Sequence, residues 1–185
     1  APVATLVTAG LPTIAIRVPA HAAMQGVIRH LGGGVAAPSA NASGRLSPTR
    51  AQHVLQSLSG RVPLVLDAGP TTAGLESSIV AVADGKARLL RQGAVPAETI
   101  EAAIGQPLPV AADAEPVAAP GMLLSHYAPR LPIRLNARSA APHEFHIGFG
   151  PVAGDESLSP EGDVVAVAAH LFDLLHRADA SSRKA

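Results

Sequence analysis

One stretch constrains the fold of this chain more than any other. Residues 36–49 read AAPSANASGRLSPT and follow GGGV at 32–35, which predicts a short apolar strand that leads into a loop of small polar residues. Ser47 and Pro48 predict a helix start, because serine is a good N-cap and proline fits the first helical position. The apolar residues that follow recur at helical spacing: Ala51, Val54, Leu55 and Leu58. We refer to residues 36–49 as the small-residue loop.

A strand, a loop of small residues and a helix N-terminus together are typical of an anion site. Backbone N–H groups and the positive end of the helix dipole point at one spot, and small side chains let a ligand approach closely. The alternative is that Ser39, Asn41 and Ser43 satisfy a turn and that Ser47 only caps the helix. The pattern by itself leaves both interpretations open.

The rest of the chain alternates between strand and helix patterns. Apolar and β-branched runs predict strands over 12–18, 62–66, 74–82, 86–90, 131–135 and 145–149. Helical spacing with terminal signals predicts helices over 20–31, 96–104 and 161–177, the last with an apolar face of Val164, Val167, Leu171, Leu174 and Leu175. Asp84-Gly85 predicts a hairpin turn, and residues 178–185 are expected to fray. This alternation predicts an α/β fold.

Composition narrows the class of protein. Formal net charge is +0, which argues against autonomous binding to bare nucleic acid, where a basic face supplies most of the affinity. There is no cysteine, so disulfides, thiolate nucleophiles and cysteine zinc sites are excluded within this sequence. No apolar run reaches membrane-spanning length. We expect a soluble, cytoplasmic protein without a membrane partner.

Five further motifs accompany the small-residue loop in order. They are TIAIRVP at 13–19, DAG at 67–69, GLESSIV at 74–80, LLRQG at 89–93 and APGMLLSHYAP at 119–129. With these motifs the chain resembles the YrdC-like family, the threonylcarbamoyl-AMP synthases, in the long form with a C-terminal extension. The resemblance implies part of a twisted mixed sheet with flanking helices over residues 1–108. It also implies a linker or lid over 109–130 and part of a small α/β domain over 131–185.

The resemblance implies an L-threonylcarbamoyladenylate synthase. Such enzymes condense L-threonine, bicarbonate and ATP to threonylcarbamoyl-AMP and pyrophosphate, which feeds the threonylcarbamoyladenosine modification of tRNA by a downstream transferase machinery. The reaction needs no covalent or acid–base residue from the protein, but it needs substrates held in line and charge neutralised. Mg²⁺ is expected with ATP, although the sequence names no metal ligand. Whether the chain contacts tRNA directly is left open.

Matching motif to motif implies the site residues. The nucleotide would contact Thr13, Ser39, Asn41, Ser47, Arg91, His126 and Tyr127. Threonine would contact Arg17, Ala37 and Ser77, with the planar Arg17 fork suited to the carboxylate. His126 and Tyr127 would lie at the tip of the lid.

This chain also departs from the family pattern. Arg91-Gln-Gly93 stands where the family has Arg-Pro-Gly, and Leu123-Leu-Ser125 stands where it has Lys-Tyr-Lys. No counterpart of the family's N-terminal Pro-Thr-Glu-Thr-type strand or Lys-x-Arg-Pro motif is found, so we expect an incomplete site and low activity. Two alternatives stay open: a carbamoyl-adenylate-forming relative in hydrogenase maturation, and an RNA-binding module without turnover.

Overall fold

The computed structural model describes residues 3–8, 10–110 and 127–185. Contacts divide the chain into two compact units, Ala1–Ser39 and Ala40–Ala185. The first unit contains helix α1 (Ala22–Leu31). The second contains, in order, α2 (Ala51–Leu58), β1 (Ile79–Ala83), β2 (Lys86–Arg91), α3 (Ala97–Ile104), β3 (Ile147–Gly148), β4 (Glu156–Ser157) and α4 (Val164–Ala180). The α/β class expected from the sequence is confirmed, with one antiparallel and one parallel pair of strands.

Helix α1 begins two residues after its predicted start and ends as predicted. At its start the Nδ1 atom of His21 accepts a hydrogen bond from the Ala23 N–H at 3.3 Å. At its end Gly32 adopts φ 68°, a left-handed conformation that suits glycine. The strand predicted over 12–18 is wrong: no described residue pairs with this segment, and Ile16 and Val18 are exposed.

The hairpin of β1 and β2 carries the small hydrophobic core of the second unit. Asp84 and Gly85 have φ values of 50° and 73°, so both turn residues occupy the left-handed region that a two-residue hairpin requires. This confirms the predicted turn. Leu89 on β2 is 2% exposed. It packs with the buried Ala87 and Leu108 and with the partly buried Val80, Ala97 and Ile100.

Helix α2 begins later than predicted. Its first residue is Ala51 and its N-cap is Arg50, which makes no side-chain capping bond. Ser47 therefore does not cap this helix, because its hydroxyl is bonded to Glu76 instead. Leu55, predicted on the apolar face, is 52% exposed. The strand predicted over 62–66 is also absent, as none of the described residues forms a ladder with it.

Helix α3 begins one residue after its predicted start and ends as predicted. Its C-cap Gly105 has φ 70°, and the Gly105 N–H bonds to the Glu101 carbonyl at 2.8 Å. Beyond it, the Leu89 N–H bonds to the Pro109 carbonyl at 2.9 Å, which fastens the next segment to β2. Most of the predicted linker, residues 111–126, lies outside the described residues.

The C-terminal part is organised around α4. Asp163 caps its start by accepting a hydrogen bond from the Val165 N–H at 2.8 Å. The helix therefore starts after residue 161, and Val164, predicted in the core, is 72% exposed. Of the two strands predicted in this region, 145–149 shrinks to β3, and 131–135 pairs with no described strand.

The last residues are held, contrary to the predicted fraying. The helix continues to Ala180, and the Lys184 N–H then bonds to the His143 carbonyl at 2.8 Å. The Phe145 N–H bonds to the Ala185 carbonyl at 2.6 Å. These backbone bonds resemble an additional strand pairing, which polar composition alone does not predict.

Helix α4 lies against the loops that form the candidate site. A Cβ atom on Gly74 would stand 2.4 Å from the carbonyl oxygens of Ala168 and Ala169, so only glycine permits this approach. Near the other end of α4, the Asp179 carboxylate accepts the Arg130 N–H at 2.8 Å and the Leu131 N–H at 3.1 Å. The helix thus contacts the loop at Gly74 and holds the segment that follows Tyr127.

Candidate functional site

Five polar residues meet at the end of β2, and we call them the Arg91 cluster: Ser47, Glu76, Ser77, Arg91 and Tyr127. Arg91 is its centre. Its Nε donates to the Ser77 carbonyl at 3.0 Å, and one terminal nitrogen donates to the same carbonyl at 2.8 Å and to the Ser77 hydroxyl at 3.2 Å. The other terminal nitrogen donates to the Tyr127 hydroxyl at 2.7 Å. The guanidinium is therefore fixed in one orientation.

Glu76 links Arg91 to the small-residue loop. One carboxylate oxygen accepts a hydrogen bond from the Ser47 hydroxyl, and the other lies 3.7 Å from an Arg91 nitrogen. The side chains of Arg91 and Glu76 are 12% and 27% exposed, so the pair is half-buried and weakly screened by solvent. A fixed, partly desolvated cation of this kind can bind an anion such as phosphate.

Gly93 allows the chain to pass close to Glu76 and Ser77. A Cβ at position 93 would lie 2.3 Å from the Glu76 carbonyl oxygen, which no side chain tolerates. The Ala94 N–H bonds to that carbonyl at 3.0 Å, and the Gly93 N–H bonds to the Ser78 hydroxyl at 3.1 Å. The glycine of the LLRQG motif is thus required by close backbone contact, whereas Gln92 is exposed.

The small-residue loop is held from two sides. The Ala42 N–H bonds to the Ser57 hydroxyl of α2 at 2.8 Å, and the Ala128 N–H bonds to the Gly44 carbonyl at 3.2 Å. The Asn41 amide donates to the Arg45 carbonyl at 2.9 Å. Its Oδ1 atom is buried and has no hydrogen-bond partner in the described part of the chain. An acceptor left in this state suits a ligand that brings a donor.

A second group of charged and aromatic side chains lies beside Ser47. The His53 and His176 rings stack with centroids 3.7 Å apart and 19° between their planes. Asp173 binds Arg50 through both carboxylate oxygens, at 2.5 and 3.2 Å, and lies 3.3 Å from Arg177. This group joins α2 to α4, two elements that are far apart in sequence.

His53 is held in its neutral form. Its Nδ1 accepts the Thr49 N–H at 3.2 Å, so the ring proton of the neutral side chain resides on Nε2. Burial, together with the neighbouring His176 and Arg50, lowers the pKa of His53 to about 4, against the opposing effect of Asp173. Protonation of Nδ1 would place its N–H against the Thr49 N–H and break this hydrogen bond. The hydrogen bond therefore favours the neutral ring, in agreement with the lowered pKa.

The residues implied by the resemblance are thus only partly brought together. Ser47, Ser77, Arg91 and Tyr127 meet in the Arg91 cluster, and Asn41 belongs to the same unit. Thr13, Arg17, Ala37 and Ser39 lie in the first unit, where all four are exposed. His126 lies outside the described residues.

Sequence reasoning missed four residues, of which two contact the implied Ser47 directly and two contact its neighbours. They are Glu76, His53, Asp173 and His176. Glu76 was visible within the GLESSIV motif, and His53 follows Thr49 by one helical turn. The roles of Asp173 and His176 carry no local signal, because Arg50 and Ser47, which they bind, lie more than 100 residues away in the sequence.

Across residues 3–8, 10–110 and 127–185, no group of three or more His, Asp or Glu side chains is arranged to hold a metal ion. Within the same ranges, no helix is both long enough and apolar enough to cross a membrane.

Comparison with sequence families matches both parts of the chain. Residues 1–93 match the Sua5, YciO and YrdC family described as "Telomere recombination". Residues 95–184 match the family described as "Threonylcarbamoyl-AMP synthase, C-terminal domain". Together the two matches account for nearly the whole sequence.

Individual relatives agree with the family match. The chain is 45% identical over 135 residues to the threonylcarbamoyl-AMP synthase of Bacillus subtilis, covering 70% of this chain and 38% of that protein. It is 39% identical over 128 residues to the threonylcarbamoyl-AMP synthase of Pyrococcus abyssi, covering 67% of this chain and 38% of the relative. The chain therefore spans well under half the length of these curated relatives.

Solved structures show the same fold. The crystal structure of P. abyssi Sua5 complexed with L-threonine matches with a TM-score of 0.80 and 32% identity, over 98% of this chain and 60% of that one. A second P. abyssi Sua5 structure, in which adjacent histidine and tyrosine residues are replaced by alanine, matches with a TM-score of 0.77 and 29% identity, over 96% and 58%. This chain belongs to the threonylcarbamoyl-AMP synthase family.

Proposed function

We propose that this chain carries the ATP- and threonine-binding part of an L-threonylcarbamoyladenylate synthase. The observation that carries the proposal is the Arg91 cluster, where Ser47, Ser77, Arg91 and Tyr127 come from four separate motifs and meet around one guanidinium. The names of the B. subtilis and P. abyssi relatives support the same activity.

The proposed reaction joins three substrates. The threonine amine and bicarbonate form a carbamate with loss of water, and a carbamate oxygen then attacks the α-phosphorus of ATP. The bond from that phosphorus to the bridging oxygen breaks, so the products are threonylcarbamoyl-AMP and pyrophosphate. Arg91 would balance the negative charge that develops on the phosphates, because it is fixed before the substrate arrives. Mg²⁺ would enter as the counter-ion of ATP.

The small-residue loop would contribute backbone and side-chain contacts to the nucleotide. The buried, unpartnered Oδ1 of Asn41 would accept a donor such as a ribose hydroxyl, and the Ser47 hydroxyl would face the phosphates. We assign Thr13 and Ser39 of the first unit to the nucleotide as well. These roles follow the family motifs, and binding data on single variants would test them.

Threonine recognition is proposed for Arg17, Ala37 and Ser77. Arg17 is exposed and can offer its guanidinium fork to a carboxylate. The P. abyssi Sua5 structure was solved with L-threonine, which supports threonine as the amino-acid substrate here. The serine hydroxyl of position 77 is already oriented by Arg91, and this contact would connect the two substrate sites.

His126 and Tyr127 are proposed to close over the nucleotide. The Tyr127 hydroxyl accepts a hydrogen bond from the Arg91 guanidinium, and its ring packs edge-on to Phe172 with ring centroids 6.0 Å apart. Its backbone has φ 58°, so the chain turns sharply at this point. The existence of a P. abyssi variant altered at a histidine–tyrosine pair fits a special role for such a pair.

The product would be consumed by a tRNA-modifying transferase machinery, and we propose a cytoplasmic location on the same ground.

The test is pyrophosphate release from ATP with bicarbonate and Mg²⁺, comparing threonine, serine and no amino acid. The B. subtilis relative serves as the positive control for the assay. Threonine-dependent release by this chain would support the proposal.

Other outcomes would contradict it in distinct ways. Pyrophosphate release that needs carbamoyl phosphate rather than threonine would favour a carbamoyl-adenylate-forming relative. Salt-dependent RNA affinity without ATP binding would favour an RNA-binding module. Binding of ATP and threonine without turnover would instead support the proposed binding role and contradict turnover by this chain alone.

A further inference from the structure

We propose that His176, on the C-terminal helix α4, is a positioning residue for the nucleotide-binding serine of the small-residue loop. The proposal rests on the proposed function, since it concerns how Ser47 is presented to ATP. It assigns to the C-terminal part of the chain a direct influence on ATP affinity, carried by one side chain.

The contact between His176 and Ser47 is a backbone hydrogen bond with a defined direction. The His176 Nε2 atom lies 3.0 Å from the Ser47 carbonyl oxygen. A carbonyl oxygen can only accept, so His176 is the donor. Ser47 is 6% exposed, and therefore has little freedom to move while this bond persists.

Ser47 is held at both ends by residues from different parts of the chain. Its carbonyl is bonded to His176, and its hydroxyl is bonded to Glu76 of the Arg91 cluster. The direction of the hydroxyl therefore depends on where α4 places the carbonyl. Loss of the His176 bond would free the peptide plane between Ser47 and Pro48 to rotate.

The His176 ring is itself fixed by its surroundings. It stacks on His53, whose Nδ1 accepts the Thr49 N–H. The two stacked rings therefore bind the small-residue loop at Ser47 and at Thr49. One turn earlier on α4, Asp173 binds Arg50 at the start of α2. The ion pair and the stack hold α4 and α2 together around residues 47–50.

The test compares His176→Ala with a matched control on the same helix. His170→Ala removes an exposed histidine whose ring nitrogen lies 3.0 Å from the Leu158 carbonyl and which is not part of the Arg91 cluster. We expect His176→Ala to weaken ATP binding about fivefold, the worth of one hydrogen bond, with threonine affinity unchanged. His170→Ala should leave both affinities within twofold. His176→Gln should restore part of the loss, because its amide can donate to the same carbonyl.

A double-mutant cycle separates positioning from general destabilisation. If His176 acts through Ser47, then His176→Ala should cost nothing further in a Ser47→Ala background. Additive losses, or equal losses in ATP and threonine affinity, would overturn the proposal. Thermal unfolding of each variant checks that the chain is folded at the assay temperature.

A second measurement keeps the inference testable if the unaltered chain binds no ATP. That result would contradict the proposed function but not the positioning role. Amide hydrogen exchange would then report on the loop: faster exchange at Thr49 in His176→Ala, but not in His170→Ala, would support the role. Unchanged protection at Thr49 would overturn it.

Discussion

At the scale of single residues, Arg91 is the side chain on which the proposed nucleotide site depends. Its fork is satisfied by the Ser77 carbonyl and the Tyr127 hydroxyl, so its orientation is set before any anion arrives. Glu76 stands 3.7 Å away and neutralises part of its charge. A bound phosphate would therefore compete with this carboxylate for the same guanidinium.

We predict that Glu76→Gln tightens ATP binding. Glutamine keeps the size of the side chain and an oxygen for the Ser47 hydroxyl, but removes the competing negative charge. For a half-buried pair the expected gain is about two- to fivefold in affinity, and it should shrink at high salt. Titration with ATP at low and high ionic strength measures both effects.

Weaker ATP binding in Glu76→Gln would contradict this view of the carboxylate. If that loss appeared only with Mg²⁺ present, it would indicate that Glu76 contacts the metal of the nucleotide. Glu98→Gln is a suitable control, because Glu98 lies in the first turn of α3 and outside the Arg91 cluster.

The buried histidine His53 predicts how stability depends on pH. Its pKa is lowered to about 4 in the folded chain, while an unfolded histidine titrates near 6.5. Between these values the unfolded chain binds more protons than the folded one, so stability falls as pH decreases. The contribution of His53 is fully present above about pH 6.5 and is lost as the pH approaches 4.

Urea unfolding at pH 7.5, 6 and 5 measures this dependence. We expect the midpoint to decrease towards pH 5, and the decrease to be smaller in His53→Gln, which cannot titrate. His30→Gln, at an exposed position on α1, should behave like the unaltered chain. An identical slope in His53→Gln would show that other groups carry the pH dependence.

At the scale of elements, local signals predicted structure well. Helices α1 and α3 end at glycines with positive φ, and the hairpin turns at Asp84-Gly85. These features depend only on the backbone preferences of a few neighbouring residues, so they can be predicted from the local sequence. The α/β class follows from the same alternation of helix and strand signals.

Predictions that depend on distant partners failed. A strand exists only with a hydrogen-bonded neighbour, and the apolar segments 12–18 and 62–66 pair with no described residue. Leu64 in one of them is 79% exposed, whereas Leu89 on the paired strand β2 is 2% exposed. Ser47 failed as a helix cap for the same kind of reason, since Glu76 engages its hydroxyl from 29 residues away.

The close approach of Gly93 to the backbone of Glu76 and Ser77 leads to a prediction about stability and ATP binding. Gly93→Ala would push a methyl group into the backbone of Glu76 and Ser77, since the added Cβ lies 2.3 Å from their atoms. We expect a loss of about 1–3 kcal/mol in the free energy of unfolding and weaker ATP binding. Chemical denaturation and ATP titration measure the two effects.

The control is Gly26→Ala in helix α1. A Cβ at Gly26 meets no atom within 4 Å, and alanine favours the helix by about 1 kcal/mol. This substitution should be neutral or stabilising. If Gly93→Ala were equally harmless, the close approach at Glu76 would not be required for folding or binding.

At the scale of the whole molecule, some residues of the candidate site could be predicted from the sequence, and the residues of α4 that support them could not. The motifs identified Ser47, Ser77, Arg91 and Tyr127, which meet in one cluster of the second unit. The family resemblance, rather than periodicity, made that possible. The support from α4, through Asp173 and His176, emerged only from the folded chain.

The most direct test of this account is the ATP affinity of Arg91→Gln. Loss of a charge-assisted contact should weaken ATP binding by about 10- to 100-fold. The matched control is Arg88→Gln, an exposed arginine on the same strand, which should bind ATP within twofold of the unaltered chain. Equal ATP affinity in Arg91→Gln and the unaltered chain would contradict the assignment of the Arg91 cluster to the triphosphate.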